Sequence, residues 1–219
     1  MAEQTERATY EAYVVHYPNG GWLAELSDFP GAYATGATQA EALARLAAAA
    51  PGYYAWLSAH DEYTPTTHAT AEVTAREVVE APPGAMSAFF ADDAQTVTDE
   101  DMDWLLAVLG WALDDLEAQA LRVAPSARRD ALLAAVAQAQ ARLVAQATGA
   151  PLTPPGAGSD ALAQVKATHA AALAAFRRTR PEQRAVVREA DGQRWSVRRG
   201  LRESALLARR STDELAAMG

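Results

Sequence analysis

The chain has 219 residues, half of them hydrophobic and 21% charged, with a formal net charge of −9. That balance belongs to a folded globular protein and excludes a disordered one. There is no cysteine, which excludes disulfides, thiolate catalysis and cysteine-ligated zinc or iron–sulfur sites.

The opening residues, MAEQTERATY, are polar and lack the apolar run of a secretory signal. Tyr13, Val15 and Tyr17 alternate with Ala12, Val14 and His16, which predicts a strand. Asn19-Gly20-Gly21 supplies residues that tolerate positive φ, so a hairpin turn belongs there. Trp22, Ala24 and Leu26 mark the returning strand, Phe29-Pro30-Gly31 a corner, and Tyr33 and Thr35 a third strand. Thr38 and Glu41 have the spacing of a capping box. The helix they open carries Ala42, Leu43, Leu46 and Ala50 on one face, and Pro51-Gly52 is expected to interrupt it before a shorter run, Tyr53 to Ala59. This stretch, Leu46–Leu57, is the longest apolar one and falls far short of the roughly 20 residues that cross a bilayer. A cytoplasmic location and no membrane partner are therefore expected. Ala71, Val73 and Ala75, extended by Val78 and Val79, make a last strand. The predicted order is β-β-β-α-β.

Over residues 8–80 this pattern resembles the HicB-like antitoxin domain. The residues that carry the resemblance are the Tyr13–His16 strand, the Gly20-Gly21-Trp22 turn and Leu26-Ser27-Asp28-Phe29-Pro30-Gly31, which stands where the family has its proline-glycine corner. Gly36-Ala37-Thr38 with Glu41-Ala42-Leu43 stands where the family opens its helix. The chain departs from the family at Ser27 and Ala37. The resemblance implies a small sheet with one helix, a homodimer, and a protein partner surface.

Ala81-Pro82-Pro83-Gly84 ends regular structure. Residues 1–82 are thus predicted as one domain, 83–97 as an irregular linker with Phe89-Phe90 as an apolar anchor, and 98–219 as a second domain. Thr98 or Asp99 caps its first helix, where Met102, Leu105, Leu109, Leu113 and Leu116 form a stripe flanked by Trp104 and Trp111. Pro125-Ser126 opens the second, with Leu132, Val136, Leu143 and Ala147 on its face. Ser159 is expected to cap the third, which carries Leu162, Val165, His169, Leu173 and Phe176. Asp191-Gly192 turns a small hairpin, and Ser196 caps the last helix. The fold class expected for the whole is α+β, a small β-β-β-α-β domain followed by an up-down four-helix bundle.

Residues 96–219 resemble the DinB-like helical bundle superfamily. Asp103-Trp104-Leu105-Leu106, Trp111-Ala112-Leu113-Asp114-Asp115-Leu116 and Asp191-Gly192-x-x-Trp195-Ser196-Val197-Arg198 carry the resemblance. Metal-binding members place one histidine on an inner helix and a His-x-x-x-His pair on the last. The resemblance aligns that pair with Leu207 and Ser211, and residues 170–219 contain no histidine. It therefore implies a bundle that has lost its metal, and no metal or other cofactor is expected.

His169 stands alone on the third stripe, most simply as a hydrogen-bonded core histidine. Glu203 on the last helix is its expected partner. His169, Glu203, Trp104 and Trp111 are the candidate ligand-contacting residues, with no catalytic residue assigned. His16, His60 and His68 match no metal spacing, and His60-Asp61-Glu62 reads as an exposed polar turn. Asp92-Asp93 reads as a solvated pair, and Asp114-Asp115 point about 100° apart on a helix. Tyr53, Tyr54 and Trp56 read as packing residues. The charge is uneven: residues 176–219 hold 11 arginines against 6 acids, whereas residues 1–90 hold 11 acids against 3 arginines. Arginines on such helices pair with neighbouring acids, so no nucleic-acid partner is expected. The sequence reads as a non-catalytic two-domain binding protein; the alternatives are a diverged DinB-like transferase or hydrolase using His169, and a HicB-type antitoxin or regulator.

Overall fold

A computed structural model describes residues 7–60, 70–154 and 160–219. The chain divides into two compact units, Met1–Phe90 and Ala91–Gly219. The described residues form a mixed α+β protein with a four-stranded sheet, a two-stranded hairpin and six α-helices. His68 and Ser159 lie outside the described residues, as do Asp61 and Glu62.

In the first unit β1 (Arg7–His16), β2 (Trp22–Leu26), β3 (Tyr33–Gly36), α1 (Gln39–His60) and β4 (Thr70–Glu80) follow one another. The sheet order is β3-β2-β1-β4, with β1 antiparallel to β2 and parallel to β4. Gly20 closes the first turn at φ 87°, a conformation side chains resist. Thr38 Oγ1 accepts from Glu41 N at 3.2 Å, while the Glu41 carboxylate reaches back to Ala37 N at 2.8 Å. Gly36 lies directly under this helix start: a Cβ there would stand 2.6 Å from Ala42 N.

Pro51 does not interrupt α1, which runs unbroken through it. Burial on both sides outweighs the lost amide donor: Ala50, Tyr53, Tyr54 and Leu57 are all buried, and Tyr53 Oη donates to Pro30 O at 2.6 Å. Tyr10, on the same sheet face as Ala12 and Val14, packs against Tyr54 with ring centroids 5.2 Å apart. That face therefore meets α1. The opposite face is covered by residues read from sequence as the start of a linker. Phe90 stacks on Tyr13 at 4.3 Å, and Ser87 Oγ donates to the buried Glu25 carboxylate at 2.5 Å. Tyr17 Oη donates to Met86 O. The segment settles there because β1 and β2 are apolar on both faces, so an uncovered side would leave Tyr13, Val15 and Leu23 in water.

In the second unit a 3-10 turn (Ala91–Ala94) precedes α2 (Asp99–Arg122), α3 (Ala127–Thr148) and α4 (Ala161–Arg177). A short α5 (Pro181–Arg184) and the hairpin β5 (Arg188–Ala190) and β6 (Gln193–Trp195) come before α6 (Val197–Ala216). Asp191 and Gly192, at φ 53° and 71°, make the two-residue turn. Thr98 caps α2 in a capping box with Asp101, and Ser126 and Ser196 accept from Arg129 N and Arg199 N.

The second unit is therefore not a plain run of four helices, and their expected up-down alternation also fails. Leu133, Val136 and Ala137 of α3 cluster with Leu162 and Val165 of α4, Leu116 and Ala120 of α2 and Leu215 of α6. At the other end the small Gly200 of α6 lets Ala147 and Phe176 approach together. So α3 and α4 start at one end and run parallel, while α2 and α6 run against them. The connection from Gly149 to Asp160 is long enough for this. Twelve residues can reach about 40 Å, and the 22 residues of α3 rise only about 33 Å.

Candidate functional site

The last helix decides what lies inside the second unit, because it buries polar side chains as well as apolar ones. Arg199, Arg202, Glu203, Ser204 and Ser211 are all buried. Arg199 Nε donates to Glu203 Oε1 at 2.6 Å, Nη1 to Arg194 O at 2.5 Å and Nη2 to Gln193 Oε1 at 2.8 Å. Its guanidinium lies 3.9 Å from the Trp195 ring centroid. One planar cation thus holds the hairpin against its own helix, by hydrogen bonds in plane and by stacking out of plane.

Arg202 Nη2 donates to Asp93 Oδ2 at 2.8 Å, with both side chains buried. Asp93 is therefore not a solvated member of an Asp92-Asp93 pair. It folds inward because Arg202 offers a charged partner that a buried carboxylate requires. At the surface Arg198 meets Asp101 at 2.6 Å, and Arg209 meets Asp115 at 3.7 Å. Partial burial pushes the Asp101 carboxyl upward, but the Arg198 guanidinium and the Thr98 backbone amide outweigh it and hold the pKa below its ordinary value.

Halfway along the helices lies a second polar layer. Leu133, Gln140 and Ala147 are seven residues apart on α3, as are Leu162, His169 and Phe176 on α4. Residues at that spacing share a helix face. Gln140 and His169 thus replace apolar residues at matching levels of two parallel stripes. Gln140 is fully buried and His169 is 2% exposed. His169 Nδ1 faces Glu117 Oε1 at 3.3 Å, and Gln140 Nε2 donates to Ser204 Oγ at 2.9 Å. The remaining polar atom of each, His169 Nε2 and Gln140 Oε1, is buried without a partner. Such an atom costs about 1–3 kcal/mol.

The structure separates the residues that the sequence grouped. His169 is joined to Glu117 of α2, not to Glu203, which belongs to Arg199. Glu203 immediately precedes Ser204 of the layer, but adjacent helical side chains point about 100° apart, and Arg199 takes it. Trp104 and Trp111 pack edge to face at 6.1 Å, both half-buried on α2. Gln140, Glu117 and Ser204 were missed. A glutamine midway between Leu133 and Ala147 at heptad spacing was the available signal for the first; Glu117 carries none, because its partner lies 52 residues on.

The metal that the DinB-like resemblance would supply does not fit these residues. Leu207 has no donor atom. Among the described residues no three His, Asp or Glu side chains are grouped to hold an ion. In the first unit, His16 Nδ1 bonds Glu80 at 2.7 Å and His60 Nδ1 bonds Trp56 O at 2.9 Å. Tyr53 and Tyr54 are buried, and burial with the neighbouring Tyr10 hydroxyl pushes the Tyr54 phenol above its ordinary range. Among the described residues no helix is long and apolar enough to cross a membrane. No family model matches the chain, and neither a curated protein nor a solved structure matches it.

Proposed function

We propose that this chain is a non-catalytic, two-domain binding protein. The second unit is read as a metal-free, DinB-like four-helix bundle that holds a ligand at its middle layer. The first is read as a HicB-like domain that offers a surface to a second copy or a protein partner. One observation carries the reading. The interior layer formed by Gln140 and His169 leaves two buried polar atoms without a partner, whereas the ion pairs of Arg199 and Arg202 nearby are complete. Natural interiors leave few polar atoms unfilled, and those few mark ligands, waters or chemistry.

A second reading is a diverged hydrolase or transferase, favoured by the carboxylate of Glu117 orienting His169 with Nε2 open, as in a general base. His169 is only 2% exposed, so a substrate, like any ligand of this layer, must enter the bundle to reach it. Metal analysis of protein purified without chelator separates the two. The binding reading expects far less than one equivalent of any transition metal after gel filtration. One tightly held equivalent, lost with His169→Ala, overturns it. The position of β4 at the sheet edge supports self-association of the first unit. Light scattering of the full chain is expected to give a dimer mass.

A further inference from the structure

The middle layer has a chemical preference of its own. Glu117 is a carboxylate that also meets Lys166 Nζ at 3.7 Å. In the neutral tautomer that places the proton on Nδ1, toward Glu117, His169 Nε2 is left as a lone pair. Gln140 spends its NH2 on Ser204, which leaves Oε1 as an acceptor. Two acceptors cannot satisfy each other. Each must be met by a donor, and the heptad register sets both at one level of neighbouring parallel helices.

Around them alanines stand among larger buried side chains, Val136, Leu143 and Val144 on α3 and Val165 on α4. Ala137 and Ala141 flank Gln140 on α3, Ala172 lies one turn beyond His169, and Ala205 and Ala208 follow Ser204 on α6, all buried. The carboxylate that reaches the layer, Glu117, already faces a histidine and a lysine. A buried cation would find no uncommitted counter-charge there.

We propose that Gln140 Oε1 and His169 Nε2 together seat the NH2 group of a small neutral molecule, a primary carboxamide or a ligand ending in one. The two N–H bonds diverge from a single nitrogen, so one group meets acceptors contributed by two helices. This deepens the binding reading and rests on it. The seat selects by donor count: a tertiary amide of the same polarity has nothing to give the two acceptors.

The test is an NMR titration of the 15N-labelled full chain with acetamide, following the imidazole nitrogens of His169 and the side-chain amide of Gln140. N,N-dimethylacetamide, which lacks N–H donors, is the control. Acetamide is expected to move both signals saturably and dimethylacetamide to leave them in place. Gln140→Leu, checked for an intact fold by circular dichroism, is expected to weaken binding roughly tenfold, the loss of one hydrogen bond. Equal responses to both compounds, no response to acetamide, a protonated Nε2, or occupancy by water only overturn the proposal. A stoichiometric metal on His169 overturns instead the binding reading beneath it, so the two failures are distinct.

Discussion

Two of the buried polar regions among the described residues of the helical unit, one at its hairpin end and one at its middle, are built differently. At the hairpin end Arg199 and Arg202 have carboxylates at 2.6 and 2.8 Å, and the guanidinium of Arg199 also meets a carbonyl, an amide oxygen and an indole face. At the middle, Gln140 and His169 each have one polar atom paired and one left over. Rupturing a buried ion pair costs about 3–5 kcal/mol, whereas a neutral lone pair left over costs only about 1–3 kcal/mol. The contrast teaches that unused bonding capacity costs less to keep in neutral groups, and Trp195 Nε1, buried without a partner beside Arg199, is a neutral remainder of the same kind.

The largest effect should come from breaking a complete pair. Arg202→Met leaves Asp93 charged and buried, and is expected to cost about 3–5 kcal/mol in urea unfolding. Adding Asp93→Leu should recover much of that loss, since the pair is worth far less than its rupture. A single substitution costing under about 1 kcal/mol would erase the contrast.

A middling effect belongs to Gly200, where the helices approach most closely. A Cβ there would stand 2.3 Å from Ala147 Cβ. Gly200→Ala should cost about 1–3 kcal/mol by the same unfolding measurement, although alanine is the better helix former. A gain in stability would mean that α3 and α6 yield freely at this point.

The smallest effect is at the surface. The folded pKa of Asp101 lies below its ordinary value, so the stability it lends is present above that value and is lost as pH falls through the folded one. The side chain is 38% exposed, so solvent screens the interaction with Arg198 and the loss is small. The urea midpoint should therefore fall less between neutral pH and about pH 3 in Asp101→Asn than in the parent chain. An unchanged acid dependence would remove Arg198 as the cause.

What could be seen in the sequence was local. Turn glycines at 20 and 192, the caps at Thr38, Thr98, Ser126 and Ser196, and strand alternation all rest on neighbours a few residues apart. The errors concern distant partners. Pro51 reads locally as a break because Pro30, whose carbonyl accepts from Tyr53 Oη, lies 23 residues before Tyr53. Residues 83–97 read as an irregular linker with Phe89-Phe90 as an apolar anchor, but nothing local says that the anchor covers the second face of β1, where Phe90 stacks on Tyr13. Asp93 looked solvated because Arg202 lies 109 residues beyond it. His169 was visible as an odd polar residue in an apolar stripe, but Gln140 passed unnoticed, since one glutamine on an alanine-rich helix is unremarkable until the heptad is laid out.

The most direct measurement is the urea unfolding free energy of the double variant Gln140→Leu with His169→Leu, without added ligand. If the middle layer sacrifices stability to keep acceptors open, replacing both groups with apolar ones should leave the protein as stable as the parent or more so, by about 1–2 kcal/mol. A loss comparable to that of Arg202→Met would show that the layer is a finished structural network, and would contradict its assignment as a ligand seat.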